Sequence, residues 1–308
     1  MTHASRVSSV RRQLARLVPV CGAALALGGC AVTGTEPAEA EGPPARETVL
    51  ALTASGELLR FNAGQPRRVQ SSVPVKGLRP GDSLVGIDFR VAKGVLFAVG
   101  RMGQVYTLDS ASGQLTAVGS GTPSVALLGQ RFGVDFNPAL DRIRVVSDTG
   151  QNLRFHPDTG AQIDFDPATP GPQADPDLRF APGDAQQGHR PQVVSAAYTY
   201  NTRDEKLTTN YVLDARLGTL AMQGSLEGAM PVESPNLGVL RTVGPLGTGP
   251  LTDASFDISD VRNTALAAVR TPQHPRTRLF RLDLATGQAT AVGTVGQGQP
   301  LIGMAIEP

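Results

Sequence analysis

The sequence predicts an all-β protein, a five-bladed β-propeller closed by pairing of the C-terminal strand with the N-terminal blade. A segment that opens on a Gly-x-Asp-Phe-like strand and ends on Thr-Ala-Val-Gly recurs, with copies starting at Gly86 and Ser255. The first copy, from Thr48, lacks its opening strand, and the final residues 303–308 have the register of that strand. A repeat split between the two termini is how a circular propeller closes. Abundant glycine (35) and proline (24) are typical of many short strands joined by turns.

Each blade needs an inner strand beside the axis. We assign these five strands to 85–90, 133–137, 194–198, 255–259 and 302–307. Blade 1 then pairs the last of them with three further strands, at 49–53, 57–62 and 68–74. The outer strand of blade 4 could be 219–224 or 238–244, and we favour the second because it ends like blade 2.

Recurrent Asp-x-x-Ser/Thr-Gly turns join the outer strands, as at Asp109 and Asp283. The aspartate accepts backbone hydrogen bonds in such a turn and the glycine takes a positive φ, so we interpret both turns as structural hairpins. The connection 167–192 is longer than a blade turn needs and carries six prolines. Such a loop could be functional or disordered.

The N-terminus resembles an export signal. Basic residues 11–16 precede an apolar run, 17–27, that is too short to span a bilayer stably. The run ends in Leu-Gly-Gly-Cys30, which resembles a lipobox; an ordinary signal peptide cut near Ala31 and an uncleaved anchor are the alternatives. We therefore predict a lipoprotein signal peptide (1–29), lipidation of Cys30, a disordered tether (30–46) and the propeller (47–308). The protein would be exported and membrane-anchored in the cell envelope, with Ala31 favouring the outer membrane or periplasmic face.

Composition excludes some partners and covalent links. The formal net charge is +1, with 28 basic and 27 acidic residues, which gives no electrostatic reason to expect nucleic acid. The two cysteines are Cys21, which would leave with the signal, and Cys30. The propeller would then be held by burial and sheet pairing and not by disulfides.

Aligning the inner strands puts Asp88, Asp135 and Asp257 at one equivalent position, where the other two blades carry Ala197 and Ala305. Three carboxylates near an axis could lock neighbouring blades by accepting backbone hydrogen bonds. They could also bind Ca²⁺, which takes hard oxygen ligands, or serve as acid and base in glycoside cleavage. A carboxylate buried without a partner is costly, so some partner must exist.

A second polar group lies along the strand and turn that follow the third inner strand. Arg142 and Arg144 are two residues apart and share one face of that strand. Three further charged residues lie close in sequence: Asp141, Asp148 and Arg154. This group could bind an anionic ligand or form ion pairs between blades.

Three stretches carry a family resemblance: 132–138 with 141–154, Gly183-Asp184 followed by 188–199, and 84–90. They resemble the bacterial domain of unknown function 4394 family. The resemblance covers nearly all of 48–308, and it implies an exported propeller without assigning any catalytic residue. Usual members have Asn after Thr in the Tyr-Thr-Asn stretch, whereas here Tyr200 stands before Asn201.

No nucleophile elbow, phosphate-binding loop, dinucleotide motif or zinc-protease motif occurs. This favours a lipid-anchored binding or scaffolding module for an envelope ligand or protein over an enzyme, with no cofactor predicted. The alternative is a hydrolase of glycans, small esters or lactones that uses Asp88, Asp135 and Asp257, with or without Ca²⁺.

Overall fold

The computed structural model describes residues 41–119 and 125–308, which form five β-sheets arranged as a propeller. Blade 1 contains β1 (Thr48–Thr53), β2 (Glu57–Asn62) and β3 (Val69–Pro74). Blade 2 contains β4 (Leu84–Arg90), β5 (Val95–Gly100), β6 (Val105–Leu108) and β7 (Leu115–Val118). Blade 3 contains β8 (Phe132–Asn137), β9 (Arg142–Ser147) and β10 (Asn152–Phe155).

Blade 4 contains β11 (Arg179–Phe180), β12 (Val193–Tyr198), β13 (Asn210–Asp214), β14 (Thr219–Gln223) and β15 (Val239–Pro245). Blade 5 contains β16 (Asp253–Ile258), β17 (Ala265–Arg270), β18 (Arg278–Leu282) and β19 (Ala289–Thr294). The last strand, β20 (Leu301–Ile306), returns to blade 1. Two short 3-10 helices, Val91–Lys93 and Pro235–Leu237, complete the regular structure of the described residues.

Closure of the ring is as the sequence predicts. Strand β20 pairs antiparallel with β1, with Val49 opposite Ile306 and Leu50 opposite Ala305. The inner strands β4, β8, β12, β16 and β20 each pack against the next around the axis. Because the first and last strands share one sheet, backbone hydrogen bonds between the two ends of the propeller domain close the ring.

The apolar core is divided among the interfaces between blades. One cluster, for example, joins Leu50 and Leu58 of blade 1 to Ile87 and Leu96 of blade 2. Corresponding clusters lie between each of the other neighbouring pairs of blades. Full burial of such a side chain stabilises the fold by roughly 1.5–3 kcal/mol. This packing explains why the inner strands are buried along almost their whole length and do not alternate between apolar and exposed residues.

The predicted hairpin chemistry is present in the turn between β6 and β7. The Asp109 carboxylate accepts hydrogen bonds from the Ser112 backbone amide (2.7 Å) and hydroxyl (2.7 Å). Gly113 has φ +73°, and a Cβ there would lie 2.2 Å from the Pro74 carbonyl oxygen of blade 1. The position therefore needs glycine both for its backbone conformation and for its close approach to the neighbouring blade.

Blade 4 contains both segments that the sequence offered for its outer strand. Segment 219–223 is the third strand, β14, and 239–245 is the fourth, β15, as we favoured. The connection 167–192 adds the short strand β11, which pairs parallel with β15 at the outer edge. Blade 3 has three strands plus an isolated bridge between Phe155 and Gln162.

The chain before β1 contacts blade 1. Asn62 accepts a hydrogen bond from the Ala45 amide (2.8 Å) and donates one to the Ala45 carbonyl (2.8 Å). Gln65 donates to the Gly42 carbonyl (3.1 Å). The predicted signal peptide, Cys30 and the tether up to residue 40 lie outside the described residues. Within the described ranges, no helix has the length and apolarity needed to cross a bilayer.

Candidate functional site: an acidic cluster beneath a pocket

The propeller brings the three inner-strand aspartates together at its axis. Asp88 lies on β4, Asp135 on β8 and Asp257 on β16, each one or two residues before its strand ends. One carboxylate oxygen from each lies within 4.8 Å of the others. All three side chains are buried, with exposed fractions of 4%, 3% and 6%. We call Asp88, Asp135 and Asp257 the axial carboxylates.

Each axial carboxylate accepts a hydrogen bond from the backbone of the next blade. Asp88 accepts from the Phe136 amide of blade 3 (2.7 Å), and Asp135 accepts from the Tyr198 amide of blade 4. Asp257 accepts from the Ile306 amide of β20 (2.5 Å). The carboxylates therefore join blades 2 to 3, 3 to 4 and 5 to 1. Hydrogen bonds of this kind are stronger when the carboxylate is ionised than when it is protonated.

The carboxylates also bind amides of their own strands. Asp135 accepts from the Phe136 amide (2.8 Å) and Asp257 from the Ile258 amide (2.6 Å). Five of the six axial carboxylate oxygens thus accept a backbone hydrogen bond. These bonds satisfy buried amides that would otherwise cost about 1–3 kcal/mol each.

Burial and mutual repulsion favour protons in the cluster. Burial is the largest cause that raises the pKa of each axial carboxylate. The charge of Asp88 further raises the pKa of Asp135 and of Asp257. A hydrogen bond between Asp88 and Asp135 raises the pKa of Asp135 and lowers that of Asp88, as in two carboxyls that share one proton.

The same residues have the chemistry to hold a hard cation. Ca²⁺ takes 6–8 oxygen ligands, so three carboxylates would supply at most six of them. Here, five of the six oxygens already accept amide hydrogen bonds, which leaves few free lone pairs aimed at the centre. The geometry therefore fits a structural role, in which the carboxylates hold neighbouring blades together, better than it fits a calcium coordination shell. Calcium binding stays a prediction, which metal analysis of the purified protein can test.

A pocket of about 420 Å³ opens at the ends of the inner strands. Residues at or just after the ends of these strands form its wall: Val91–Lys93 after β4, Asn137 at the end of β8 with Pro138 after it, Tyr200 after β12 and Asp260 after β16. Phe136, Asp141 and Glu205 also line it. We call this cavity the axial pocket.

Tyr200 couples the axial pocket to the carboxylates electrostatically. Burial raises the pKa of the Tyr200 phenol, and the charges of the three axial carboxylates and Asp260 raise it further. The phenol is therefore neutral, and it lies within electrostatic range of the cluster. Its backbone is fixed by Asn263, which donates to the Tyr200 carbonyl (2.9 Å) and accepts from the Tyr200 amide (2.7 Å).

At the rim of this pocket, Arg90 of blade 2 pairs with two acids of blade 3. Its guanidinium donates to Asp141 (2.7 Å from Nε) and to Asp158 (2.5 Å from Nη1). Lys93 lies 3.8 Å from Asp158. Both basic residues that line the axial pocket are thus paired with acids. Asp158 belongs to a turn of the hairpin type, but its carboxylate binds Arg90 of the neighbouring blade and not its own turn.

The second predicted polar group is divided among several places. Arg144, with 1% of its side chain exposed, donates to Asp175 (2.8 Å), and Arg154 donates to the same carboxylate (2.7 Å). Arg144 also donates to the Tyr198 hydroxyl (3.1 Å) of blade 4. Asp175 lies in the proline-rich connection and was not predicted as a site residue. No local sequence pattern indicates that it contacts Arg144 and Arg154, because both arginines are distant from it in the sequence.

The remaining members lie apart from that buried site. Asp141 pairs with Arg90 at the axial pocket, and Asp148 pairs with Arg131 (3.3 Å). Arg142 donates to the carbonyls of Leu140 (3.3 Å) and Asp141 (2.8 Å). Asp141, Arg142, Arg144, Asp148 and Arg154 thus do not form a single anion site, because near neighbours in sequence extend to different interfaces.

A family model described as "Domain of unknown function (DUF4394)" matches residues 57–305. The chain belongs to the DUF4394 family. The match spans strands of all five blades of this DUF4394 propeller, from β2 to β20. The stretch that carried the resemblance most clearly forms β8, β9 and β10. Tyr200, which intervenes in the Tyr-Thr-Asn stretch, lines the axial pocket.

No curated protein matches this DUF4394 chain. Among solved structures, it resembles one titled as a crystal structure of a nidogen/laminin complex, with a TM-score of 0.45, 11% identity, and coverage of 85% of this chain and 98% of that one. It also resembles a structural genomics protein of unknown function from Bacteroides thetaiotaomicron, with a TM-score of 0.44, 14% identity, and coverage of 85% and 64%.

Proposed function

We propose that this DUF4394 propeller is a binding module whose ligand site is the axial pocket. The observation that carries the proposal is the pocket itself, a concave site of about 420 Å³ at the mouth of the propeller. Ligand sites for small molecules are commonly concave, mostly apolar clefts of about 300–1,000 Å³ with a few polar groups. The pocket combines the apolar side chains of Val91, Ala92 and Pro138 with the polar groups of Tyr200 and Asp260.

The hydrolase alternative has less support from the geometry. The axial carboxylates are buried, and both oxygens of Asp135 and of Asp257 accept backbone amides. A general acid or base must reach its proton at about 2.6–3.2 Å, directly or through one water. Carboxylates that lock the blades together are poorly placed to release those amides during a reaction.

Binding can be tested by filling the pocket. Ala92 is exposed and lines the pocket, so Ala92→Trp should block it without disturbing the core. Ala111→Trp, in the exposed β6–β7 turn, is the matched control. A metabolite screen by thermal shift should find ligands that stabilise the wild type and Ala111→Trp but not Ala92→Trp. Ligands that stabilise all three proteins equally would place binding elsewhere and contradict the proposal.

We further propose that the propeller is held at the cell envelope by a lipid on Cys30. The supporting observation is the Leu-Gly-Gly-Cys30 sequence after a basic and then apolar leader. Stable anchoring needs two signals, such as two acyl chains. The variant Cys30→Ser should lose acyl labelling and leave the membrane fraction, whereas Cys21→Ser should keep both. Acylation that persists in Cys30→Ser would contradict the assignment.

A further inference from the structure

The axial pocket has an uneven charge balance. Its basic side chains, Arg90 and Lys93, face Asp141 and Asp158, which already match their two positive charges. Asp260 and Glu205 also line the pocket. Within the part of the chain that the structure describes, neither carboxylate has a hydrogen bond or an ion pair with a side chain. The wall therefore carries two acids that no base in the pocket offsets.

The axial carboxylates lie within electrostatic range of the same pocket. Negative charge on Asp260 or on any axial carboxylate disfavours ionisation of the Tyr200 phenol. Any charge that the axial cluster retains adds to the same sign. Low-dielectric walls such as Val91 and Pro138 strengthen the field inside a cleft. A positive group in the pocket would thus meet attraction from several directions.

The remaining surface suits an apolar body. Val91, Ala92 and Pro138 line the cavity with apolar side chains, and Tyr200 contributes an aromatic ring that cannot become an anion under ordinary conditions. Aromatic faces attract cations as well as apolar groups. The pocket thus offers apolar and aromatic contact on one side and unpaired carboxylates on the other.

Resting on the proposed function, we infer that the axial pocket binds a small organic cation, an amine or ammonium group on an apolar body. The cationic end lies at Asp260 and Glu205, and the apolar part packs on Val91, Pro138 and Tyr200. Anionic ligands of the same shape are disfavoured because no free basic group lines the cavity. The size of the pocket suits a small molecule and not a folded partner.

The test uses three probes that share a phenethyl body: phenethylamine, 2-phenylethanol and phenylacetate. Their affinities for the purified full-length protein are measured by calorimetry at pH 7 and low salt. We expect phenethylamine to bind about tenfold more tightly than the alcohol, a difference of about 1.4 kcal/mol, since its ammonium group gains a close charge pair that the alcohol lacks. Phenylacetate should bind more weakly than the alcohol.

Two variants then test whether the Asp260 carboxylate attracts the amine. Asp260→Asn should reduce the amine affinity about tenfold and leave the alcohol affinity unchanged. Asp177→Asn is the matched control, because Asp177 is exposed and lies outside the pocket lining. If the three probes bind with equal affinity and Ala92→Trp abolishes that binding, the axial pocket is still supported as a ligand site, but the preference for a cation is overturned. Absence of binding for all three probes would overturn the pocket as a ligand site. An amine affinity that Asp260→Asn does not change would also overturn the inference.

Discussion

The carboxylate of Asp257 accepts a hydrogen bond from the backbone amide of Ile306 at 2.5 Å, 49 residues further along the chain. This bond joins blade 5 to the strand that closes the ring. The side chain is buried, so both groups would lack water if either lost its partner. A single carboxylate thus connects the closure of the propeller to the acidic cluster at its axis.

Replacing Asp257 should weaken this closure in a graded way. Asp257→Ala leaves the amides of Ile306 and Ile258 without their acceptor, which should lower the free energy of unfolding by about 1–3 kcal/mol per amide. Asp257→Asn keeps one oxygen acceptor but turns its NH2 group toward the other amide, so its loss should be about half that of Asp257→Ala. Urea denaturation of both variants measures the difference. Equal stability of the two variants would show that the hydrogen bonds accepted by the Asp257 side chain do not stabilise the position of β20.

Stability should fall as the pH rises from about 4. Asp88, Asp135 and Asp257 have pKa values raised above the ordinary value for an aspartate, chiefly by burial. The unfolded chain therefore releases these protons first, and the folded state loses relative stability until its own carboxyls ionise. Burial also raises the pKa of Asp253, to about 6. The stability that its protonated form contributes is therefore lost by the time the pH exceeds about 6.

Two asparagine variants separate these contributions in denaturation curves taken between pH 4 and 8. Asp253→Asn should flatten the curve between about pH 4 and 6, since Asp253 titrates there in the folded state. Asp135→Asn should flatten it in a range that extends higher, since mutual repulsion with Asp88 adds to burial. A wild-type stability that rises steadily with pH in this interval would contradict the protonated cluster, and retained Ca²⁺ would be the first alternative to test by metal analysis.

Truncation tests the ring directly. Residues 301–308 include the whole of β20, whose Leu301, Met304 and Ile306 are buried between blades. Deleting them exposes the inner edge of β1 and part of the core of blade 1, so we expect an insoluble protein or one without a cooperative melt. A matched deletion of 41–44, before the first strand, should leave the melt cooperative. A cooperative, soluble protein without β20 would contradict closure as the basis of stability.

Repetition explains which features the sequence predicted. The equivalent position of Asp88, Asp135 and Asp257 could be deduced because each blade repeats one register, and closure brings equal positions to one axis. Tyr200 and Asp260 follow the inner strands, where loops differ in length and carry no repeat. The sequence therefore predicts the axial carboxylates better than it predicts the residues that line the axial pocket.

The partner of Arg144 shows that contacts between residues distant in the sequence could not be predicted either. The spacing of Arg142 and Arg144 correctly puts both on one face of β9, but it cannot identify a carboxylate 31 residues from Arg144 in a proline-rich connection. Such a contact depends on where the connection crosses from blade 3 to blade 4. Local patterns contain no information on that path.

The same contact supports the last prediction. Asp175 is buried and neutralises Arg144, which is 1% exposed. Removing one partner of a buried ion pair leaves an uncompensated charge and typically costs about 3–5 kcal/mol. Asp175→Asn should therefore greatly lower the urea midpoint. Asp148→Asn, at the more exposed pair with Arg131, is the control and should change stability by less than about 1 kcal/mol. The double variant Asp175→Asn with Arg144→Met should recover part of the loss because it removes the orphaned charge. If Asp175→Asn were as stable as Asp148→Asn, the proline-rich connection would not be fixed by this ion pair.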